Sequence, residues 1–466
     1  MCNSLFDEFN PIKVKQWKQK IQFDLKGEDF NTLLTKTDED IVIKPFYHQE
    51  NTEEFTIPLS QNDFSICQSI FISDEKIASF LAKDAIKRGA KAILFEANKP
   101  FDIPLLIHDV AIFKGIEIYF KLHFLSQDFI EKLIQNTIGI KIHLNLDSIG
   151  NLARTGNWFY SKQKDAKILE STLRNLQFKG SVLSVDVSLY QNSGANSVQQ
   201  IAYALAHGNE YLNDINSNIL ETSGGNYLQE FEIVFNFSVG SNYFFEIAKL
   251  RAFRVLWQLL QKEYKFHVFP KVFAVPSSRN KTLYDYNVNM LRTTTECMSA
   301  ILGGADTISN RAYDSVYHKK NEFGERIARN QLLILQEESF FNNNADNKVN
   351  HFADGSYYIE ALTKEIAEKA LVIFKSIEKS GGFLKQLKEG TIQRKIEENA
   401  KKEQLKFTRG TKILVGINKY INPKDSMKDT IEIYPFVKIN PRETIVKPII
   451  PKRLAEKDEQ ERLKKE

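Results

Sequence analysis

The chain has 466 residues, 42% of them hydrophobic and 26% charged, with a formal net charge of only +4. That composition supplies a sizeable core for one large domain or two to three ordinary ones, and it makes no electrostatic case for nucleic acid. Cys2, Cys67 and Cys297 lie far apart with no C-x-x-C, which points to a reducing compartment, no disulfide framework and no zinc knuckle.

The opening MCNSLFDEFNPIKVKQW has no apolar core of a signal peptide. No stretch reaches the length of a membrane span, so a cytoplasmic chain without membrane contact is expected. Residues 1–60 read as an arm. Pro11 to Leu25 suits a short helix, and DIVIKPFY suits a strand. Aromatic and aliphatic anchors separated by charge fit an arm that docks on another subunit, and equally one that lies on its own domain.

From Asp63 the pattern alternates. FSICQSIFI, KAILFEA, PLLIHDV, IEIYFKLHF, GIKIHLNLD, SVLSVDVSLY, EIVFNFSVG and FHVFPKVFAV read as strands. Amphipathic stretches follow most of them, beginning with SDEKIASFLAKDAIKRGA, where Ser73 is the expected N-cap. Near-continuous apolar strands alternating with helices imply a parallel sheet covered by helices. The number of units suits a closed (β/α)8 barrel better than an open sheet, although periodicity alone does not settle closure.

The stretch from Asn287 to Ser339 reads as two helices, Val288 to Leu302 and Glu322 to Glu338. Gly303 and Gly304 end the first, because glycine tolerates left-handed geometry at a helix C-terminus. A polar loop, FFNNNADNKVNHFADG, leads to two or more further helices broken at Gly381-Gly382. ILVGINKYINP then reads as a short strand and turn. The last residues, PKRLAEKDEQERLKKE, read as a solvated helix or frayed end. The expected division is an arm over 1–60, a barrel over 61–345, a helical extension over 346–425 and a polar tail over 426–466.

Weak local candidates have ordinary readings. His207-Gly208 suits a helix C-cap or surface histidine. Glu337 and Glu338 are adjacent on a helix and point apart. Arg326 and Arg329 could meet a phosphate, but ion pairs with Glu322 or Glu325 suit them better. Asn242 and Tyr243 open a helix, a place suited to anions, and read more simply as a helix start with core aromatics.

The text LRTTTECMSAILGGADTISNRAYD, with RIARNQLLILQEES after it, resembles the acyl-CoA-binding barrel domain of methylmalonyl-CoA mutases. The likeness runs from Trp17 to about Pro423 and keeps its spacing. It implies a (β/α)8 TIM-type barrel with an N-terminal arm and a C-terminal helical extension.

The same resemblance implies a lost site. Catalytic chains of the family carry Arg-Tyr-His-Thr-Gln-Thr-Ser-Gly after one strand. Counted back from Leu291-Arg292-Thr293, the tyrosine and histidine fall on Val272 and Phe273, neither of which can hydrogen-bond through its side chain. A second Tyr-His falls on Ser188-Leu189, while the turn Asn192-Ser193-Gly194-Ala195 is kept. Nothing in residues 46–75 matches the family's Arg-Gln-Tyr-Ala-Gly-Phe. None of the histidines at 48, 108, 123, 143, 207, 267, 318 and 351 has the Asp-x-His-x-x-Gly setting of the family's cobalamin ligand. No cobalamin-binding flavodoxin-like domain is expected.

The chain therefore looks like the non-catalytic small (beta) subunit branch of the family. That implies no catalytic, cofactor-binding or metal-binding residues of its own. It also implies a heterodimer with a large (alpha) subunit that binds adenosylcobalamin and interconverts methylmalonyl-CoA and succinyl-CoA. Two alternatives stay open on the residues: a stand-alone barrel isomerase with altered chemistry, and an interaction module for a mutase-related chaperone.

Overall fold

Eight short strands close on themselves because each carries hydrocarbon on the face that meets the surrounding helices. In the computed structural model, which describes residues 9–51, 56–59, 63–175, 179–217, 230–264, 267–339, 341, 351–438 and 441–466, the arm comes first. It contains α1 (Val14–Asp24) and a two-residue antiparallel hairpin of β1 (Thr35–Lys36) and β2 (Val42–Ile43). Helix α1 buries none of its residues. The arm touches the body through Tyr47, whose ring lies 5.0 Å from that of Tyr358.

The barrel follows. In chain order it is β3 (Ser65–Phe71), α2 (Glu75–Lys87), β4 (Ala92–Ala97), α3 (Ile103–Ile107), β5 (Glu117–Leu122) and α4 (Gln127–Asn136). Next come β6 (Lys141–Leu146), α5 (Ser148–Thr155), α6 (Lys162–Leu173), β7 (Gly180–Val185), α7 (Ser188–Asn192) and α8 (Ser197–Ile215). It ends with β8 (Glu230–Val239), α9 (Tyr243–Gln261), β9 (His267–Pro276), α10 (Val288–Leu302), β10 (Thr307–Ile308) and α11 (Glu322–Leu333). The strands pair in parallel in the closed order β10-β3-β4-β5-β6-β7-β8-β9, the (β/α)8 architecture expected.

The period of two in each strand separates the two faces. Ile66, Ile93, Phe95, Ile118, Phe120, Phe235 and Val272 are buried in the main core with the helices. Cys67, Ala92, Tyr119, Val234 and Phe273 form a separate apolar cluster, with Leu94 and Val275 against it. This cluster fills the barrel lumen. Tyr119 Oη lies 2.9 Å from Thr307 Oγ1, on strands three apart around the ring. Lys271 Nζ meets Glu117 Oε2 at 2.5 Å from the opposite side. The lumen is thus packed through, as barrel interiors are.

One expected strand is a helix, and one strand was not expected. PLLIHDV is not a strand: Ile103–Ile107 is helical, with the Asp102 side chain accepting from Leu105 N at 3.0 Å. A short apolar run cannot be told from a buried helix by period alone, and here the cap and Pro104 in the first turn decide. The eighth strand is instead Thr307–Ile308, paired with Ser65 on one side and Phe273 on the other. The N-cap of α2 is Asp74, whose side chain accepts from Ile77 N at 2.9 Å, and not Ser73.

After the barrel come α12 (Tyr357–Lys379), α13 (Phe383–Lys388), α14 (Thr391–Thr408) and α15 (Glu456–Leu463). Helix α12 packs on α8 and α9. Gly381 and Gly382, at φ 101° and 88°, break the run between α12 and α13. ILVGINKYINP holds one isolated bridge, Val415 to Lys419, and no strand. The expected polar loop lies largely outside the described residues.

The end of the chain is not a frayed or solvated tail. Leu454, Ala455 and Glu459 are buried, and Arg453 Nη1 reaches Glu459 Oε2 at 2.5 Å. Glu459 Oε1 also accepts from Leu283 N at 2.7 Å. Arg453, Glu456 and Glu459 are enclosed, while Lys452, Lys457, Asp458 and Glu461 stay exposed.

Candidate functional site at the barrel mouth

A cavity of about 490 Å³ opens at the C-terminal ends of the strands. Functional groups of such barrels are built on this face. Phe273, Leu94 and Val275 line it from the lumen, and Asn145, Asp147, Asp186, Ser188 and Arg311 come from the strand ends and the loops beyond them.

One wall is a fixed polar network. Asp147 follows β6 and caps α5, its Oδ1 accepting from Gly150 N at 2.7 Å. The same carboxylate accepts from His207 Nε2 at 3.0 Å, Tyr211 Oη at 2.8 Å and Asp186 N at 2.9 Å. Burial alone pushes the Asp147 carboxyl up, but His207 and the backbone N–H groups of Gly150 and Asp186 outweigh it and hold it below the usual carboxylate range. Arg154 Nη1 donates to Asp186 Oδ2 at 3.2 Å, and Ser188 Oγ donates to Asp186 Oδ1 at 2.5 Å.

A second wall is charged. Lys121 Nζ lies 3.3 Å from Glu96 Oε1, and His123 Nε2 lies 2.8 Å from the same atom. Burial acts to raise the Glu96 carboxyl, but His123 and Lys121 together hold it far below the usual range. Lys320 Nζ donates to Ser69 O at 2.9 Å and Ser69 Oγ at 3.2 Å.

The residues marked by sequence do not converge. Val272 and Phe273 are neighbours on β9 and so point to opposite faces. Val272 is fully buried among the helices, its N–H donating to Asp306 Oδ2 at 2.6 Å. Phe273 alone faces the cavity, its ring edge-on to Tyr119 with centroids 5.0 Å apart. Ser188 lines the mouth, while Leu189 is buried. Gly194 has φ 104°, and a Cβ there would lie 2.5 Å from the Cβ of Ala400 on α14, so the retained glycine fits a close approach.

His207 is neither a C-cap nor a surface residue. It sits inside α8, wholly buried, with Nδ1 2.8 Å from Tyr190 Oη. Arg326 pairs loosely with Glu322 at 4.0 Å. Arg329 Nη1 donates to Gln68 Oε1 at 2.7 Å, away from any open surface. Glu337 and Glu338 lie in a π-helical turn, Ile334–Glu338. Asn242 starts α9 without capping it through its side chain.

Sequence reading missed Asp147, Asn145 and Arg311. The first two end a strand that was recognised, so the strand-end rule could have found them. Arg311 follows Thr307–Ile308, a strand too short to announce itself.

Among the described residues, the mouth offers no unengaged histidine to the corrin that the family implies. His318 lines it, but its Nδ1 lies 2.6 Å from Lys319 O and its Nε2 3.2 Å from Glu432 Oε1. Among the described residues no group of three His, Cys, Asp or Glu side chains is arranged to hold a metal ion. Nor is any described helix long and apolar enough to cross a membrane.

Comparison with known proteins gives a consistent set of matches. The family model described as Methylmalonyl-CoA mutase matches residues 137–462. The methylmalonyl-CoA mutase small subunit of Porphyromonas gingivalis is 31% identical, over 92% of this chain and 73% of its own. The large subunit of the same organism is 32% identical over 59% of this chain and 38% of its own. The methylmalonyl-CoA mutase of Cereibacter sphaeroides is 35% identical, over 58% of this chain and 36% of its own. The match thus spans most of the small subunit and little more than a third of the other two.

Proposed function

Because the chain belongs to the methylmalonyl-CoA mutase family, we propose that it serves as the small subunit of a two-chain, cytoplasmic mutase. In this reading a large subunit holds adenosylcobalamin and interconverts methylmalonyl-CoA and succinyl-CoA. This chain supports that partner and performs no step itself.

The observation that carries the reading is Phe273. At the place where the resemblance expects a hydrogen-bonding histidine stands a phenyl ring packed on Tyr119 in a filled lumen. A phenyl ring cannot stabilise charge on a migrating carbonyl. The donor set at the mouth does not suit a corrin, so no step through that cofactor is assigned to this chain.

The arm is the proposed docking element. Helix α1 buries nothing, yet it carries Trp17 and Phe23, with Phe23 77% exposed. A short helix gains little stability alone and needs an apolar face covered. A partner that binds only the folded form would also stabilise it by mass action.

The test is co-purification of this chain with a large subunit, followed by assay of each alone and of both together. The reading expects a stable complex, no turnover by this chain alone with adenosylcobalamin, and turnover by the pair. Turnover by the isolated chain would overturn the non-catalytic part. Absence of any complex would overturn the subunit part.

A further inference from the structure

Helix α2 meets the barrel with its small side chains and turns its large ones outward. Ala78, Ser79, Ala82 and Ala85 are its buried face. Ile77 is 56% exposed, Phe80 64% and Leu81 43%. At about 100° per residue, Phe80 stands opposite the centre of the buried face, with Ile77 and Leu81 together on one flank. Helix α4 of the same ring does the reverse and buries Phe129, Ile130, Leu133 and Ile134. Large side chains gathered on the outer face of one helix mark an interaction surface.

The face is braced in place. Glu75 Oε1 accepts from Asp102 N at the start of α3 across 3.2 Å, and Lys83 Nζ lies 3.4 Å from Asp109 Oδ1 just past its end. These two ties hold α3 beside α2, and Leu105 of α3 adds a further exposed apolar side chain.

The charges around Phe80 indicate what covers it. Lys76 and Asp84 lie four residues before and four residues after it, on the same outward stripe. Lys76 is exposed and makes no ion pair among the described residues. Asp84 meets Arg88 at 3.0 Å one turn on, and its side chain stays 34% exposed. With a second copy of the helix laid antiparallel about a two-fold axis at Phe80, the two phenyl rings meet and Ile77 faces Leu81. Each Lys76 then faces the Asp84 of the other copy. A surface with opposite charges at equal distances from an apolar centre is complementary to itself, as an isologous interface requires.

We propose that two copies of this chain pair through α2, antiparallel and centred on Phe80. The arm stays free for a different partner. Helix α2 follows β3, whereas the arm meets α12, which packs on α8 and α9 after β7 and β8, across the ring. The inference goes beyond the subunit reading and does not rest on it, because self-association is read on this chain alone.

The experiment is sedimentation of the full chain over a range of concentrations, where a species of twice 53.8 kDa is expected. Phe80→Asp is expected to weaken pairing by at least about tenfold and to keep the wild-type unfolding temperature, since the ring it removes is exposed. Lys76→Glu and Asp84→Lys each set like charges against one another and are expected to weaken self-pairing by about tenfold. An equal mixture of those two variants is expected to recover the affinity of the unmodified chain, because each offers the charge the other lacks. Should Phe80→Asp not fold, the charge variants and their mixture decide. A monomer at roughly 100 µM, a dimer that Phe80→Asp leaves intact, or a mixture no tighter than its components would overturn the proposal. So would hydrogen exchange at α2 that slows only when a large subunit is added, which would give the face to that chain.

Discussion

His207 Nε2 donates to Asp147 Oδ1 across 3.0 Å, and the two side chains are 0% and 8% exposed. A carboxylate only accepts, so Nε2 carries the proton and Nδ1 faces Tyr190 Oη at 2.8 Å. One histidine thereby ties α8 to the loop after β6 and to α7 after β7. His207 thus joins elements at the barrel mouth without lining the cavity itself.

Removing this histidine strands two polar groups and leaves a void. His207→Ala is expected to cost about 2–5 kcal/mol of unfolding free energy. Urea denaturation of the two proteins measures it, and a difference below about 1 kcal/mol would show that the network does not bind the mouth together.

The acid limb of stability carries the signature of Asp147. Its folded-state carboxyl lies below the unfolded value of about 3.9, so its stabilisation is complete above that value and is lost as pH falls through the folded one. Asp147→Asn is expected to be less stable at pH 7 and to show a flatter loss below about pH 4. Thermal unfolding from pH 7 to pH 3 distinguishes this from an Asp147 that ionises alike in both states.

Phe273 is buried to 2% exposure against Tyr119. Phe273→Ala is expected to cost about 3–5 kcal/mol, the range for a deleted core phenyl group. Phe273→His places a polar ring in the same apolar cluster and is expected to destabilise by about 1–3 kcal/mol without conferring turnover on the isolated chain. Guanidinium titration and an assay with adenosylcobalamin read the two outcomes.

Behind the mouth, Lys281 Nζ and Glu296 Oε2 meet at 2.7 Å with side-chain exposures of 2% and 0%. Losing one partner leaves a buried charge. Lys281→Met is expected to cost about 3–5 kcal/mol, and adding Glu296→Leu to recover much of that loss. A double-mutant cycle gives the coupling, and additive losses would refute the pairing.

The C-terminal segment is testable in the same way. Glu459→Ala removes the partner of buried Arg453 and the acceptor of Leu283 N. A loss of about 3–5 kcal/mol is expected. A neutral result in thermal unfolding would restore the view of residues 453–463 as a solvated end.

Much of the barrel was legible because its signal is local. Period two in IEIYFKLHF and period 3.6 in the helices are written within a few residues, and so is the family text around Leu291 to Asp314. The break at Gly381-Gly382 is equally local, since it needs only two residues free to take positive φ. What local text could not distinguish was PLLIHDV, an apolar run of ambiguous period, from Thr307–Ile308, a strand of two residues with no period at all.

The sequence by itself determined that strands and helices alternate, that the family is the mutase family, and that hydrocarbon stands at Val272 and Phe273. Only the tertiary structure decided that Phe273 alone of the two faces the cavity, that His207 is a buried tie, and that Arg453 and Glu459 are enclosed together. The reason is physical: periodicity depends on neighbours along the chain, whereas the partner of a charge or an imidazole is fixed by whatever the folded chain brings within hydrogen-bond reach.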